Sequence, residues 1–143
     1  MAFIAVSGEP GCRHEELARM AAQRLQCELV SESDLRKMMA AQFGESSRMP
    51  DRAWRPLAAS ILASLGLEHP HLVVCCPGAE LLAPDLPAVF RFHVVAPESI
   101  RLDNLVSDCR ISRTEAKIRL RKMAFEQSQI RKRRFGQIGR AHV

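Results

Sequence analysis

Four short apolar runs, each followed by a helical pattern, constrain this chain most strongly. AFIAV (2–6), CELVS (27–31), HLVVCC (71–76) and AVFRFHVVA (88–96) each end at or near turn or helix-start residues. AFIAV suits a strand covered on both faces, AVFRFHVVA supplies the β-formers Val89, Phe90, Phe92, Val94 and Val95, and strands alternating with helices form a parallel sheet. Between the first two runs, Leu17, Met20, Ala21 and Leu25 recur at three- and four-residue steps, so a helix over 13–26 should turn that face inward. Ser31, with Asp34 three residues on, reads as a capping box for a helix whose apolar face is Leu35, Met38 and Met39, ending near Gly44. GESSRMP (44–50) reads as a loop, and Asp51 as the N-cap of a helix through Trp54, Leu57, Ala58, Ile61 and Leu65 that stops at Gly66. Pro97 opens a further helix at a position proline favours. Ser112 and Glu115 form a second capping box, ahead of a long helix with Ala116, Leu120, Met123, Gln127 and Ile130 on one stripe and Gly136 at its end. The expected fold is α/β: a parallel sheet of about four strands with helices on both faces, joined by right-handed crossovers.

The chain has 143 residues, enough for one domain (1–143) with a real core. No apolar run approaches the roughly 20 residues of a membrane span, and the N-terminus lacks the basic and apolar segments of a signal peptide. Five cysteines without CxxC spacing suggest reduced thiols and a cytoplasmic setting. Cys75 and Cys76 read as core thiols, and no metal site is expected. Net charge is +5, but residues 110–134 carry ten Lys/Arg against two acids, so the rest of the chain is slightly acidic. A basic block on a mildly acidic body points to a polyanionic partner: nucleotide phosphates, nucleic acid or a membrane surface.

Residues 7–18, SGEPGCRHEELA, sit where a strand turns into a helix, the place where backbone N–H groups and the helix end bind phosphate. The standard phosphate loop is G-x-x-x-x-G-K-S/T. Counted from Gly8, the second glycine falls on Arg13, the lysine on His14 and the hydroxyl on Glu15. The candidate phosphate-binding residues are therefore Gly8, Glu9, Pro10, Gly11, Cys12, Arg13, His14 and Glu15. The competing reading is a plain turn whose Glu15 and Glu16 complement the helix N-terminus. At that position Cys12 could also have a lowered pKa.

Three stretches together resemble the cytidylate-kinase-like family of P-loop proteins, relatives of the nucleoside monophosphate kinases. The family loop runs roughly S-R-E-x-G-S-G-G-R/K-E-I-A, and Ser7, Glu9, Gly11, Glu16, Leu17 and Ala18 match it. VVCCPGAELLAPDLPAVFRFHVVAPESIR (73–101) resembles the family's V-I-V-G-R-G-A stretch and the strand after it. SRTEAKIRLRKMAFEQSQIRKRRFG (112–136) resembles its basic lid region. The resemblance is thin between Leu35 and Leu67. It implies a P-loop NTPase-like three-layer fold, a nucleotide ligand with Mg-ATP as cofactor, and a lid-like helix at 110–134. The family continues into a final strand and helix beyond the stretch matched here, so the resemblance leads us to expect an open sheet edge that a second copy or another protein would cover. The departures are as marked as the matches. The family's G-R-G-A arginine falls on Pro77, and its D-R-x-R residues fall on Ala124, Phe125 and Gln127.

Three functional readings follow. The first is a degenerate cytidylate-kinase-like protein whose nucleotide or phosphate binding is weakened and whose phosphoryl transfer is weak or lost. In it Arg119, Arg121 and Lys122 are the lid-side basic candidates, and Asp34, also a capping residue, is the substrate-side candidate. The second is an active CMP-type kinase that uses Arg13 and His14 at the loop; Arg can hold phosphate in a bidentate manner. The third is a binding module that applies the basic helix to nucleic acid or protein. Nucleic acid is disfavoured because no aromatic platform interleaves the cluster RKRR (131–134).

Overall fold

Strand β1 (Ala2–Gly8) is nearly all apolar and runs through the middle of the sheet. A computed structural model describes residues 2–44, 50–86 and 88–136, so most of the loop expected over 44–50 lies outside the described residues. β1 is followed by α1 (His14–Leu25), β2 (Glu28–Ser31), α2 (Glu32–Phe43), α3 (Asp51–Glu68), β3 (His71–Cys75), a 3₁₀ segment (Ala79–Asp85), β4 (Val89–Val94), α4 (Glu98–Cys109) and α5 (Arg113–Phe135). The strand order is β2-β3-β1-β4, and every pairing is parallel. Ala5 stands opposite Val74 on one side and Arg91 on the other.

Alternation along β1 divides the core in two. Phe3 and Ala5 join Val30, Leu72 and Val74 beneath Leu35 and Met39 of α2, Ala58 and Leu62 of α3, and Phe135 at the end of α5. On the opposite face, Val6, Val73 and Cys75 pack against Ala18 and Ala22 of α1. This is the three-layer α/β arrangement with helices on both faces. A separate cluster of Leu102, Leu105, Ala116 and Leu120 joins α4 to the start of α5.

The sequence misjudged some faces and ends. α1 buries Ala18 and Ala22, whereas Leu17, Met20 and Leu25 are exposed. Small side chains let α1 lie close on the sheet, and the larger residues then point outward. α3 does not stop at Gly66, which is buried within it, and Pro50 rather than Asp51 is its N-cap. The Ser31–Asp34 capping box is complete, with both reciprocal bonds present. At α5 only half of the expected box forms. Ser112 Oγ accepts from the Glu115 N–H, while the Glu115 carboxylate pairs with Arg119 at 3.6 Å. Met123, expected on the buried stripe of α5, is exposed. Among the described residues, no helix is long and apolar enough to cross a membrane.

Candidate functional site at the carboxyl ends of the strands

In parallel α/β sheets, ligands bind beyond the carboxyl ends of the strands. Here those ends carry the loop after β1, the 3₁₀ segment after β3, the end of β4, and α5 lying across them. The loop is closely pinned. Glu9 N–H donates to the Val94 carbonyl at 3.0 Å, and Cys12 N–H to the Glu9 carbonyl at 3.1 Å. Asn104 of α4 donates to the Gly11 carbonyl at 2.8 Å, and Arg101 lies 3.5 Å from the Glu9 carboxylate. Gly11 has φ +86°, and an added Cβ would sit 2.8 Å from the Arg101 carbonyl oxygen, so this position excludes larger residues twice over.

Arg13 is the N-cap of α1, with φ 58°. Its guanidinium makes a bidentate pair with Asp108 of α4, at 3.0 and 2.8 Å. That pair is half-exposed, which places it among the surface ion pairs that contribute little to stability. It nevertheless directs the Arg13 charge toward α4. His14, at the position of a phosphate-loop lysine, folds back over the loop: a Cβ built on Gly8 would lie 2.5 Å from His14 Cγ. The ring is mostly buried, and its Nδ1 has no hydrogen-bond partner. Burial holds the His14 pKa below the usual imidazole range, His93 adds to that, and Glu15 opposes it. His14 therefore brings little positive charge to the loop at neutral pH. Cys12 has a raised pKa, not the lowered one its position suggested: burial and then Glu9 push it up against the smaller effects of Arg101 and a backbone hydrogen bond.

Next to the loop lies a polar cluster that the sequence reading did not assemble. Ser7, at the end of β1, is the buried polar residue of the described core. Its hydroxyl bonds to the carboxylate of Glu80 and lies 2.7 Å from His93 Nδ1. Arg131 of α5 approaches Glu80 at 2.7 Å. One helical turn earlier, Gln127 Nε2 donates to the Gly8 carbonyl at 2.8 Å. Burial works to raise the Glu80 pKa, but the Ser7 hydrogen bond and Arg131 outweigh it, and the carboxyl stays below its ordinary range. The sequence signals for this cluster were a polar residue inside an apolar strand, a histidine in β4 and Arg131 within the basic run RKRR (131–134).

Beyond it, Arg134 makes a bidentate pair with Glu32 and stacks over the Trp54 ring, 4.0 Å from its centroid. Arg36 reaches the same carboxylate at 3.3 Å. A cleft of about 230 Å³ opens here between α2, α3 and α5, lined by Arg36, Trp54, Arg133 and Arg134. The buried Trp54 indole N–H has no partner. Asp34 caps α2. Arg119, Arg121 and Lys122 are exposed, and Arg119 pairs with Glu115. The α5 side chains that reach the strand ends lie further along the helix, at Gln127, Arg131 and Arg134. Among the described residues, no group of three or more His, Cys, Asp or Glu is placed to hold a metal ion.

The same architecture occurs in solved structures. An uncharacterized protein from Eubacterium ventriosum superposes with a TM-score of 0.69 at 14% identity, over 89% of this chain and 73% of that one. A gluconokinase from Sinorhizobium meliloti gives 0.55 at 14% identity, over 98% and 92%. A shikimate kinase from Bacteroides thetaiotaomicron gives 0.50 at 11% identity, over 91% and 80%. No protein-family model matches the chain, and neither does the sequence of any curated protein. The fold is therefore that of the P-loop kinases. At 11–14% identity these likenesses show the fold alone and do not point to the cytidylate kinases in particular.

Proposed function

We propose that this chain is a degenerate, cytidylate-kinase-like P-loop protein in which phosphoryl transfer is lost and phosphate binding at the loop is weakened. One observation carries the reading: the His14 ring covers Gly8 while Arg13 is held by Asp108. Phosphoryl transfer consists almost entirely of positioning and charge stabilisation. A largely neutral imidazole and a diverted guanidinium supply little of either. Gln127 supports the same reading: it stands where the family's lid carries an arginine, and its amide donates to the Gly8 carbonyl. An active CMP-type kinase would need Arg13 and His14 to turn back toward the phosphates.

Calorimetric titration with ATP and CMP, with and without Mg²⁺, tests the reading. The expected result is no binding tighter than about 1 mM at the loop, against roughly micromolar binding in the variant Arg13→Gly/His14→Lys/Glu15→Thr, a gain of about 4 kcal/mol. Micromolar Mg-ATP binding by the unaltered protein, lost in Arg13→Ala, would sink the degenerate reading and favour the active one.

A partner belongs to this proposal as well. β4 is an edge strand of the described sheet, and its Phe90 and Phe92 are 59% and 53% exposed. Unpaired edges with exposed aromatics invite another strand. A second copy is the simplest occupant, because a two-fold axis brings the same edge from each chain. Sedimentation velocity should show a dimer at micromolar concentration that Phe92→Lys converts to monomer. A monomer at all concentrations would exclude that occupant.

A further inference from the structure

The hydrogen bonds around Ser7 place a proton on His93 Nδ1. A serine hydroxyl has one proton to donate. Glu80, held ionised by Arg131, can only accept, so that proton goes to Glu80. The 2.7 Å contact between Ser7 Oγ and His93 Nδ1 must then be donated by the imidazole. In the neutral ring, Nε2 is left as the bare nitrogen. A part-buried carboxylate thus orients a histidine through a buried hydroxyl, and it does so at the end of an edge strand.

His93 lines a pocket of about 340 Å³ between β4 and α5, together with Gln127, Ser128, Arg131 and Lys132. That size is at the lower end for small-molecule sites. The pocket offers two kinds of recognition. Arg131 has five N–H donors, of which its contact with Glu80 uses a part, and Lys132 adds a second cation. With Nδ1 engaged by buried Ser7, Nε2 is the nitrogen left to accept a hydrogen bond from a ligand. Cations answer an anionic group, and an acceptor nitrogen beside them answers a hydroxyl.

We propose that this pocket binds a small anion bearing a hydroxyl group, with Arg131 and Lys132 holding the anion and His93 Nε2 accepting from the hydroxyl. The site uses no residue of the loop between Gly8 and Glu15, so it stands independently of the reading of that loop.

The test uses the full chain, ¹⁵N-labelled at histidine, with three probes: glycerol 3-phosphate, methyl phosphate and glycerol. In the free protein the His93 ring should show a protonated Nδ1 and a bare Nε2. Glycerol 3-phosphate should move the Nε2 signal saturably and bind about tenfold more tightly than methyl phosphate, the equivalent of 1.4 kcal/mol. Glycerol alone should not bind. His93→Asn keeps an N–H for Ser7 but removes Nε2, and it should bring the two phosphates to equal affinity. A protonated Nε2 in the free protein, equal affinity of the two phosphates before mutation, or no saturable binding at millimolar concentrations would each overturn the proposal.

Discussion

Replacing Phe135 with alanine should lower the unfolding free energy by about 3–5 kcal/mol, the range for removing a large aromatic side chain from a packed core. Phe135 is 3% exposed although it is the last residue of a helix that is otherwise mostly solvated. Its ring meets Trp54 edge to face, with centroids 5.7 Å apart. It also fills the space above Gly78, where an added Cβ would come within 2.4 Å of a ring carbon. Gly78 has φ +76°, so the turn after β3 needs glycine for its backbone as well as for this contact. The consequence reaches the site. Phe135 anchors the far end of α5, the helix that brings Gln127 to Gly8, Arg131 to Glu80 and Arg134 to Glu32. Urea unfolding measures the stability, and amide exchange along α5 shows whether the helix has come loose. A loss below about 1 kcal/mol would mean that the ion pairs, and not the aromatic anchor, hold α5 in place.

How much of this was legible in the sequence depends on the range of the interactions involved. β1 and β3 were readable because central parallel strands are apolar on both faces, and the edge strands β2 and β4 because short runs of β-formers are bounded by turn or helix-start residues. The Ser31–Asp34 cap was readable because all its partners lie within four residues. The inward face of α1 was not. Alanine and leucine both fit a helical stripe, and only the closeness of the sheet selects Ala18 and Ala22. Glu80 was hidden in AELLAPD, which carries no strong helical or strand period and folds as a 3₁₀ segment. Its meaning comes from Ser7, 73 positions away in sequence, and from Arg131. The basic residues of α5 were visible as a cluster, but which of them reach the strand ends depends on where the helix crosses the sheet. That crossing is set by Phe135 at one end and by the Leu102–Leu120 cluster at the other.

Glu80→Gln should destabilise the protein by about 1.5–3 kcal/mol at neutral pH, the range for hydrogen bonds to a charged group, because the pair is part-buried, with side-chain exposures of 28% for Arg131 and 16% for Glu80. Glutamine retains an acceptor for the Ser7 hydroxyl but removes the charge that Arg131 faces. The effect has a pH signature. The folded-state pKa of Glu80 lies below its ordinary value of 4.5, so ionised Glu80 stabilises the fold fully above that value. As pH falls through the folded-state pKa, the carboxyl takes up a proton and the contribution disappears. The stability of the natural chain should therefore converge on that of Glu80→Gln in acid, and the two should differ most above about pH 5. Chemical denaturation of both proteins across that range measures the difference. A gap that persists unchanged into acid would show that glutamine disturbs packing and that the pairing of Glu80 with Arg131 contributes little. If the gap closes, the double variant Glu80→Met/Arg131→Met should recover most of the loss, because matched apolar residues remove the burial penalty of both charges. That recovered stability would come without a carboxylate to orient Ser7 and His93. The double variant would thus separate what the charge pair does for the fold from what it does for the pocket beside it.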